Sequence, residues 1–203
     1  MPYKPKERQF LEGKAAELRG KPGVLEGSVL RVEALADVLG LELLPKAGLK
    51  DEFGIEAYLA GRKNTIVVDR DAMDFGSPRY FFTLAEEIAH HVIHVDDRSK
   101  VTLQTCVLDL SQHDYELLEW DAKYLAGAML MPVEEFEAIF RKSVQKEKEA
   151  LGNAGDRETI TRYAIRKCYQ AFGVSFHAAV IRAQALGLID SRMKANLEKY
   201  LRH

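Results

Sequence analysis

Cysteine is scarce in this sequence: the 203 residues hold two, Cys106 and Cys168, far apart and without ligand-like spacing. That argues against a disulfide framework, and both cysteines read as reduced thiols in a reducing compartment. Long apolar runs are also missing. None reaches the roughly 20 residues a membrane-spanning helix needs, and the first residues lack the apolar core of a secretory signal. The expectation is a cytoplasmic protein with no membrane contact. An excess of charge of one sign is absent too. A formal net charge of −2 argues against a dominant nucleic-acid-binding surface, so direct nucleic-acid binding is not expected. There are no internal repeats and no low-complexity tracts. What remains is ordinary for a globular chain, with 47% hydrophobic and 30% charged residues.

Chemistry-bearing residues concentrate between Ser77 and His94. Ser77 suits a helix N-cap and Pro78 the first helical position, where its missing N–H is not needed. At helical spacing Phe81, Phe82, Ala85, Ile88, Ala89, Val92 and Ile93 form one apolar arc. Thr83, Glu86, Glu87, His90, His91 and His94 form the opposite arc. Glu86 and His90 are i,i+4 neighbours, as are His90 and His94, so each pair can reach one point above the helix. Such a face is often only solvated, but imidazoles and carboxylates gathered on it also make a candidate metal site. The metalloprotease pattern His-Glu-x-x-His has two ligands one turn apart with the base beside the first. Glu86-Glu87-Ile88-Ala89-His90 keeps that spacing, with a carboxylate in the first ligand's place. A second register, with His90 and His94 as ligands, would leave His91 where the base belongs.

The rest of the chain reads as mixed α and β. A basic lead (Pro2, Lys4, Pro5, Lys6) runs into a helix that Gly20, Pro22 and Gly23 end. A second helix is expected over Val29–Leu39, then a short strand over Leu41–Leu44. Gly54–Ala60 and Asn64–Asp69 read as two strands joined by a turn at Gly61, Arg62 and Lys63; the β-branched run Thr65–Val68 predicts burial. Arg70–Gly76 reads as a polar link, and alternation at Val101, Leu103 and Val107 suggests a further strand. Ser111 caps a helix running to Met131, and Pro132 opens another. A charged helix over Phe136–Ala150 leads to a linker. Three more helices follow, ending near Phe172, Leu186 and Leu201. Phe172 to Leu188 has a helix-turn-helix rhythm, but Arg182 is the one Lys or Arg within its second helix, so it reads as a docking element.

Three blocks together resemble the ImmA/IrrE-type metallopeptidases. Phe82-Thr83-Leu84-Ala85-Glu86-Glu87-Ile88-Ala89-His90, followed by His94, is similar to that family's Phe-Thr-Leu-Ala-His-Glu-x-x-His…His block. Glu119-Trp120-Asp121-Ala122, Leu125-Ala126 and Leu130-Met131-Pro132 resemble its second block, Glu-x-Glu-Ala-Asn-x-Phe-Ala…Leu-Leu-Met-Pro. Val32 to Ala36 with Leu39-Gly40-Leu41 is similar to its lead-in helix and first strand. The chain departs from these blocks in having Glu86 for the first His, Asp121 for the second Glu and Lys123 for the Asn.

The resemblance implies an α+β fold: a zincin-like metallopeptidase domain over 27–135 with a small sheet packed on helices. A lead and helix over 1–26 precede it, and a helical extension over 136–203 follows. It implies Glu87 as general base, with Glu86, His90 and Glu119 as metal ligands. His94 and His91 are left as supporting residues or alternative ligands. Glu119 also has a plain structural reading, as an i,i+4 ion pair with Lys123. The implied ion is zinc. One extra carboxylate should weaken the ion's pull on its water and shift preference toward manganese or iron(II). The implied activity is metal-dependent endopeptidase action on a helix-turn-helix repressor, in transcription regulation or stress response. The sheet around Thr65–Asp69 would offer an edge to the extended substrate. The alternative is a regulatory or binding protein that keeps the peptidase fold without a competent metal.

Overall fold

Local punctuation sets most of the elements of this chain, whose computed structural model describes residues 3–60, 64–94, 111–152 and 155–200. Two compact units result, Met1–Met129 and Leu130–His203. The first begins with helix α1 (Arg8–Arg19), which buries Leu11, Ala15 and Leu18. Strands β1 (Leu25–Glu26) and β2 (Val29–Leu30) pair antiparallel around Gly27, whose φ of 61° suits the turn. Helix α2 therefore spans only Val32–Val38 and not Val29–Leu39. The two apolar residues at 29 and 30 belong to this small hairpin.

A three-stranded sheet carries the site. Strand β3 (Glu42–Lys46) is followed by helix α3 (Leu49–Phe53), strand β4 (Ala57–Ala60) and strand β5 (Thr65–Asp69). The order is β3-β5-β4, with β3 parallel and β4 antiparallel to β5. All five residues of β5 are buried, as its β-branched run predicts. Because β5 is central, it has no free edge. The edge expected around Thr65–Asp69 belongs instead to its neighbours, and β3 accommodates Pro45 as an edge strand can.

Arg70–Gly76 is helix α4 (Arg70–Phe75) and not a link; it buries no residue, which is why hydrophobic periodicity did not reveal it. Its signal is the cap. Asp69 accepts from the Ala72 N–H at 3.0 Å and also from the Lys50 N–H at 3.0 Å, tying α3 and α4 to the end of β5.

Helix α5 (Pro78–His94) starts where Ser77 and Pro78 predict, the Ser77 hydroxyl accepting from the Tyr80 N–H at 3.2 Å. It packs on α2, β4 and β5. Its buried face is Tyr80, Leu84, Ala85, Ile88, Ala89 and His90. Phe81, Phe82, Val92 and Ile93, expected in the apolar arc, are only half-buried. Two polar ties set the helix against its neighbours. The Tyr80 hydroxyl donates to Glu33 of α2 at 2.9 Å. Buried Glu56, just before β4, takes Arg79 at 2.9 Å and Lys50 at 2.8 Å.

Helix α6 (Gln112–Leu130) follows, with the Ser111 hydroxyl accepting from the Asp114 N–H at 3.2 Å. The expected turn at 61–63 and the expected strand around Val101–Val107 lie outside the described residues.

The second unit is helical: α7 (Val133–Leu151), α8 (Arg157–Phe172), α9 (Phe176–Ala185) and α10 (Ser191–Lys199). Asp156, Ser175 and Asp190 cap the last three. Phe136 and Phe172 stack with centroids 6.0 Å apart in its core. Arg182 is buried, and its Nε donates to the Met131 carbonyl at 2.9 Å. Among the described residues no helix is long and apolar enough to cross a membrane.

Candidate metal centre

One turn of α5 and one turn of α6 face each other, and their polar residues meet. Glu86, His90 and Glu119 each offer a ligand atom within 4.8 Å of the other two, and among the described residues they are the one such group. His90 is buried among the core residues of α5, and its Nε2 lies 3.3 Å from Glu119 Oε1. The Glu119–Lys123 ion pair also exists, with Nζ to Oε2 at 3.0 Å. Glu119 therefore makes both contacts at once. Lys123 further reaches Glu86 Oε1 at 3.5 Å.

Glu87, next to Glu86 on the helix, turns toward the sheet. Its Oε2 accepts from the backbone N–H of Leu59 in β4 at 2.8 Å, so the carboxylate sits against the sheet. Burial raises the Glu87 carboxyl to about 7, a charge on nearby His90 and the Leu59 bond opposing without cancelling it. Burial also raises Glu86, against the pull of Lys123. Glu119 goes in the opposite direction, down to about 2, because its bond with His90 outweighs its burial and Lys123 adds to the effect.

His94 is not in the cluster but supports it. Its Nδ1 shares a hydrogen bond with His90 Nδ1 at 3.0 Å, and its Nε2 contacts the Tyr3 hydroxyl at 3.0 Å. Burial, with the charges of His90 and Lys6 adding, holds His94 down to about 3, so it is neutral at ordinary pH. The Tyr3 hydroxyl donates to Asp121, which also accepts from the Lys6 N–H at 2.9 Å. These contacts fix the protons. Tyr3 gives its one proton to Asp121, so it accepts from His94 Nε2–H, and His94 Nδ1 then accepts from His90 Nδ1–H. The second ring nitrogen of His90, Nε2, then faces Glu119.

That nitrogen and the two carboxylates around it are the test of whether these residues fit a metal. Nε2 lies 3.3 Å from the Glu119 oxygen, a separation at which a proton joins them and an ion could take the proton's place. An imidazole nitrogen and two carboxylates are also a donor set that zinc, manganese and iron(II) accept, and a ligating His ordinarily bonds through its other nitrogen to a second group. The residues fit. His91 is half-buried, its pKa lowered by that burial, and it is not among the three converging ligands.

The sequence shows the N-terminal lead but not its contacts at the site. Tyr3, Lys6 and Asp121 are more than 110 positions apart in the pairs they make, and no local pattern marks such contacts. Leu59 could be anticipated only as a strand residue. Lys123 was visible as a partner of Glu119 but not of Glu86.

Comparison with known proteins bears on this geometry. A search of curated proteins gives no match. Among solved structures, a Mycobacterium tuberculosis transcriptional regulator matches with a TM-score of 0.53 at 20% identity. The match covers 92% of this chain and 48% of that one, so the chain spans about half the length of that protein. At this identity the likeness speaks to the fold alone. A family model described as the IrrE N-terminal-like domain, Peptidase_M78, matches residues 45–184, more than half of the chain and inclusive of every residue in the cluster. With its α+β fold and a helix pair presenting Glu-Glu-x-x-His and Glu119, the chain belongs to the Peptidase_M78 family of IrrE N-terminal-like domains.

Proposed function

We propose that this chain is a metal-dependent endopeptidase that acts on an extended segment of another protein, a helix-turn-helix repressor in the reading the family suggests. The observation that carries it is the convergence of Glu86, His90 and Glu119 beside a carboxyl, Glu87, raised toward neutrality. Glu86, His90 and Glu119 would hold the ion. When bound, such an ion polarises a peptide carbonyl and acidifies a ligated water.

The protein's own residues supply the rest. Glu87, raised to about 7, has the basicity to accept a proton at Oε and return it to the leaving amine near neutral pH. Asp121, Tyr3 and His94 hold the His90 tautomer. Strand β4 is the edge strand nearest the base, and an extended peptide pairing along it would bring its carbonyls toward α5. Such a peptide would compete with Glu87 for the Leu59 N–H.

Two variants test the proposal. His90→Ala should lose both metal and hydrolysis. Glu87→Gln should retain metal and lose hydrolysis, because the amide keeps the shape but cannot accept the proton. Full peptidase activity in Glu87→Gln would remove Glu87 from the mechanism.

A second reading has its own observation. Lys123 already balances Glu86 and Glu119, as expected of a regulatory or binding protein that does without the ion. Elemental analysis of the purified protein separates the two: a stoichiometric transition metal supports the enzyme, and its absence supports the binding protein.

A further inference from the structure

A cation already sits at the cluster. Lys123 Nζ lies 3.0 Å from Glu119 on its own helix and 3.5 Å from Glu86 on the facing one. The lysine side chain is 55% exposed, against 16% for Glu86 and 23% for Glu119. A lysine that only decorated α6 would need one partner a turn away. This one bridges two helices and places its charge between the two carboxylates of the candidate ligand set.

We propose that Lys123 is a resident counter-ion that holds the charge position a divalent metal would take, so that metal entry requires its ammonium to leave. The proposal rests on the metal-binding reading above. An ammonium and a dication cannot draw on the same carboxylates at close range, because their repulsion in a partly desolvated site far exceeds its value in water. Leaving is easy for this residue. Its stem is flexible and more than half of its side chain already faces solvent. The ion-free protein is then folded with Glu86 and Glu119 compensated, and metal occupancy becomes a competition between a tethered monovalent cation and a free divalent one. Glu86 makes this possible, since a carboxylate at that position attracts the ammonium and an imidazole would not.

The experiment is zinc and manganese titration of chelator-stripped protein by calorimetry, with thermal unfolding of the same samples, on wild type, Lys123→Met and Lys123→Arg. Methionine keeps the length of the stem and removes the charge. Lys123→Met should bind about tenfold more tightly, the equivalent of roughly 1.4 kcal/mol, since the ion no longer displaces two ion pairs. Its stripped form should melt below wild type, because the two carboxylates lose their counter-ion. Lys123→Arg should stay within a few-fold of wild type. Equal or weaker binding by Lys123→Met overturns the proposal while leaving the metal site intact. A gain in Lys123→Arg as large as in Lys123→Met also overturns it, because charge would not be the cause. If wild type and both variants are folded and none binds either ion, the metal-binding reading fails and this inference fails with it.

Discussion

Glu87 gives the most direct link between burial and a measurable pH dependence. Its carboxyl is raised from 4.5 to about 7 in the folded protein, with burial as the leading cause. A raised carboxyl favours the folded state at low pH, where it is protonated in both states. The advantage is lost as pH rises through the folded value. Between pH 4.5 and about 7 the native state must therefore lose stability relative to a protein without this group. The full difference is at most about 3.5 kcal/mol, from about 1.4 kcal/mol for each pH unit between the two values. Glu87→Gln isolates it, because the amide oxygen can still accept from the Leu59 N–H. Urea unfolding of chelator-stripped wild type and Glu87→Gln should give matching stabilities near pH 4. Near pH 8 the glutamine variant should be the more stable, by up to about 3.5 kcal/mol. Other titrating groups are common to both proteins and cancel in the difference. A constant difference between pH 4 and pH 8 would refute the reasoning.

Asp69→Ala should cost about 2 kcal/mol in chemical denaturation at pH 7, since the Ala72 and Lys50 amides both lose their acceptor. Those amides, Lys50 first, hold the Asp69 carboxyl below its usual range. Its contribution is present above the ordinary carboxylate pKa and is lost as pH falls through the lowered one, so wild type and Asp69→Ala should converge in strong acid. Tyr3→Phe keeps the ring against His94 but removes one of the two donors to Asp121 Oδ2 and frees the His94 Nε2 proton. It should lower stability by about 1–3 kcal/mol and, in nitrogen NMR of the imidazoles, mix the His90 and His94 tautomers. Wild-type stability in that variant, with unchanged imidazole signals, would remove Tyr3 from the relay.

The parts legible in the sequence are those written locally. Ser77-Pro78 announces α5, Asp156 and Ser175 announce their helices, and the run Thr65–Val68 announces a buried strand. Spacing alone put Glu86 and His90 on one helix face, and the second block added Glu119. The rest is long-range or unpatterned. Helix α4 exposes nearly everything it has, so apolar periodicity could not mark it, although Asp69 is a readable cap. Val29 and Leu30 are as apolar as helix residues, and only Gly27 hints at the hairpin they enter. That β5 is central follows from the parallel β3–β5 pairing, a choice made between segments and not within one. Tyr3 reaches His94 and Asp121 from the start of the chain, with no periodicity to announce it. Lys123 shows its i,i+4 partner in the sequence, while its second partner depends on where α5 lies.

The central claim is that Glu86, with His90 and Glu119, holds a divalent ion. Zinc titration of chelator-stripped wild type, Glu86→His and Glu86→Ala tests it most directly. The geometry predicts one ion per chain in wild type. Glu86→His should bind more tightly, because a neutral imidazole suits zinc and can reach the same point as the carboxylate. Glu86→Ala should bind more weakly than wild type. Equal affinity in all three proteins would contradict the account and take Glu86 out of the ligand set.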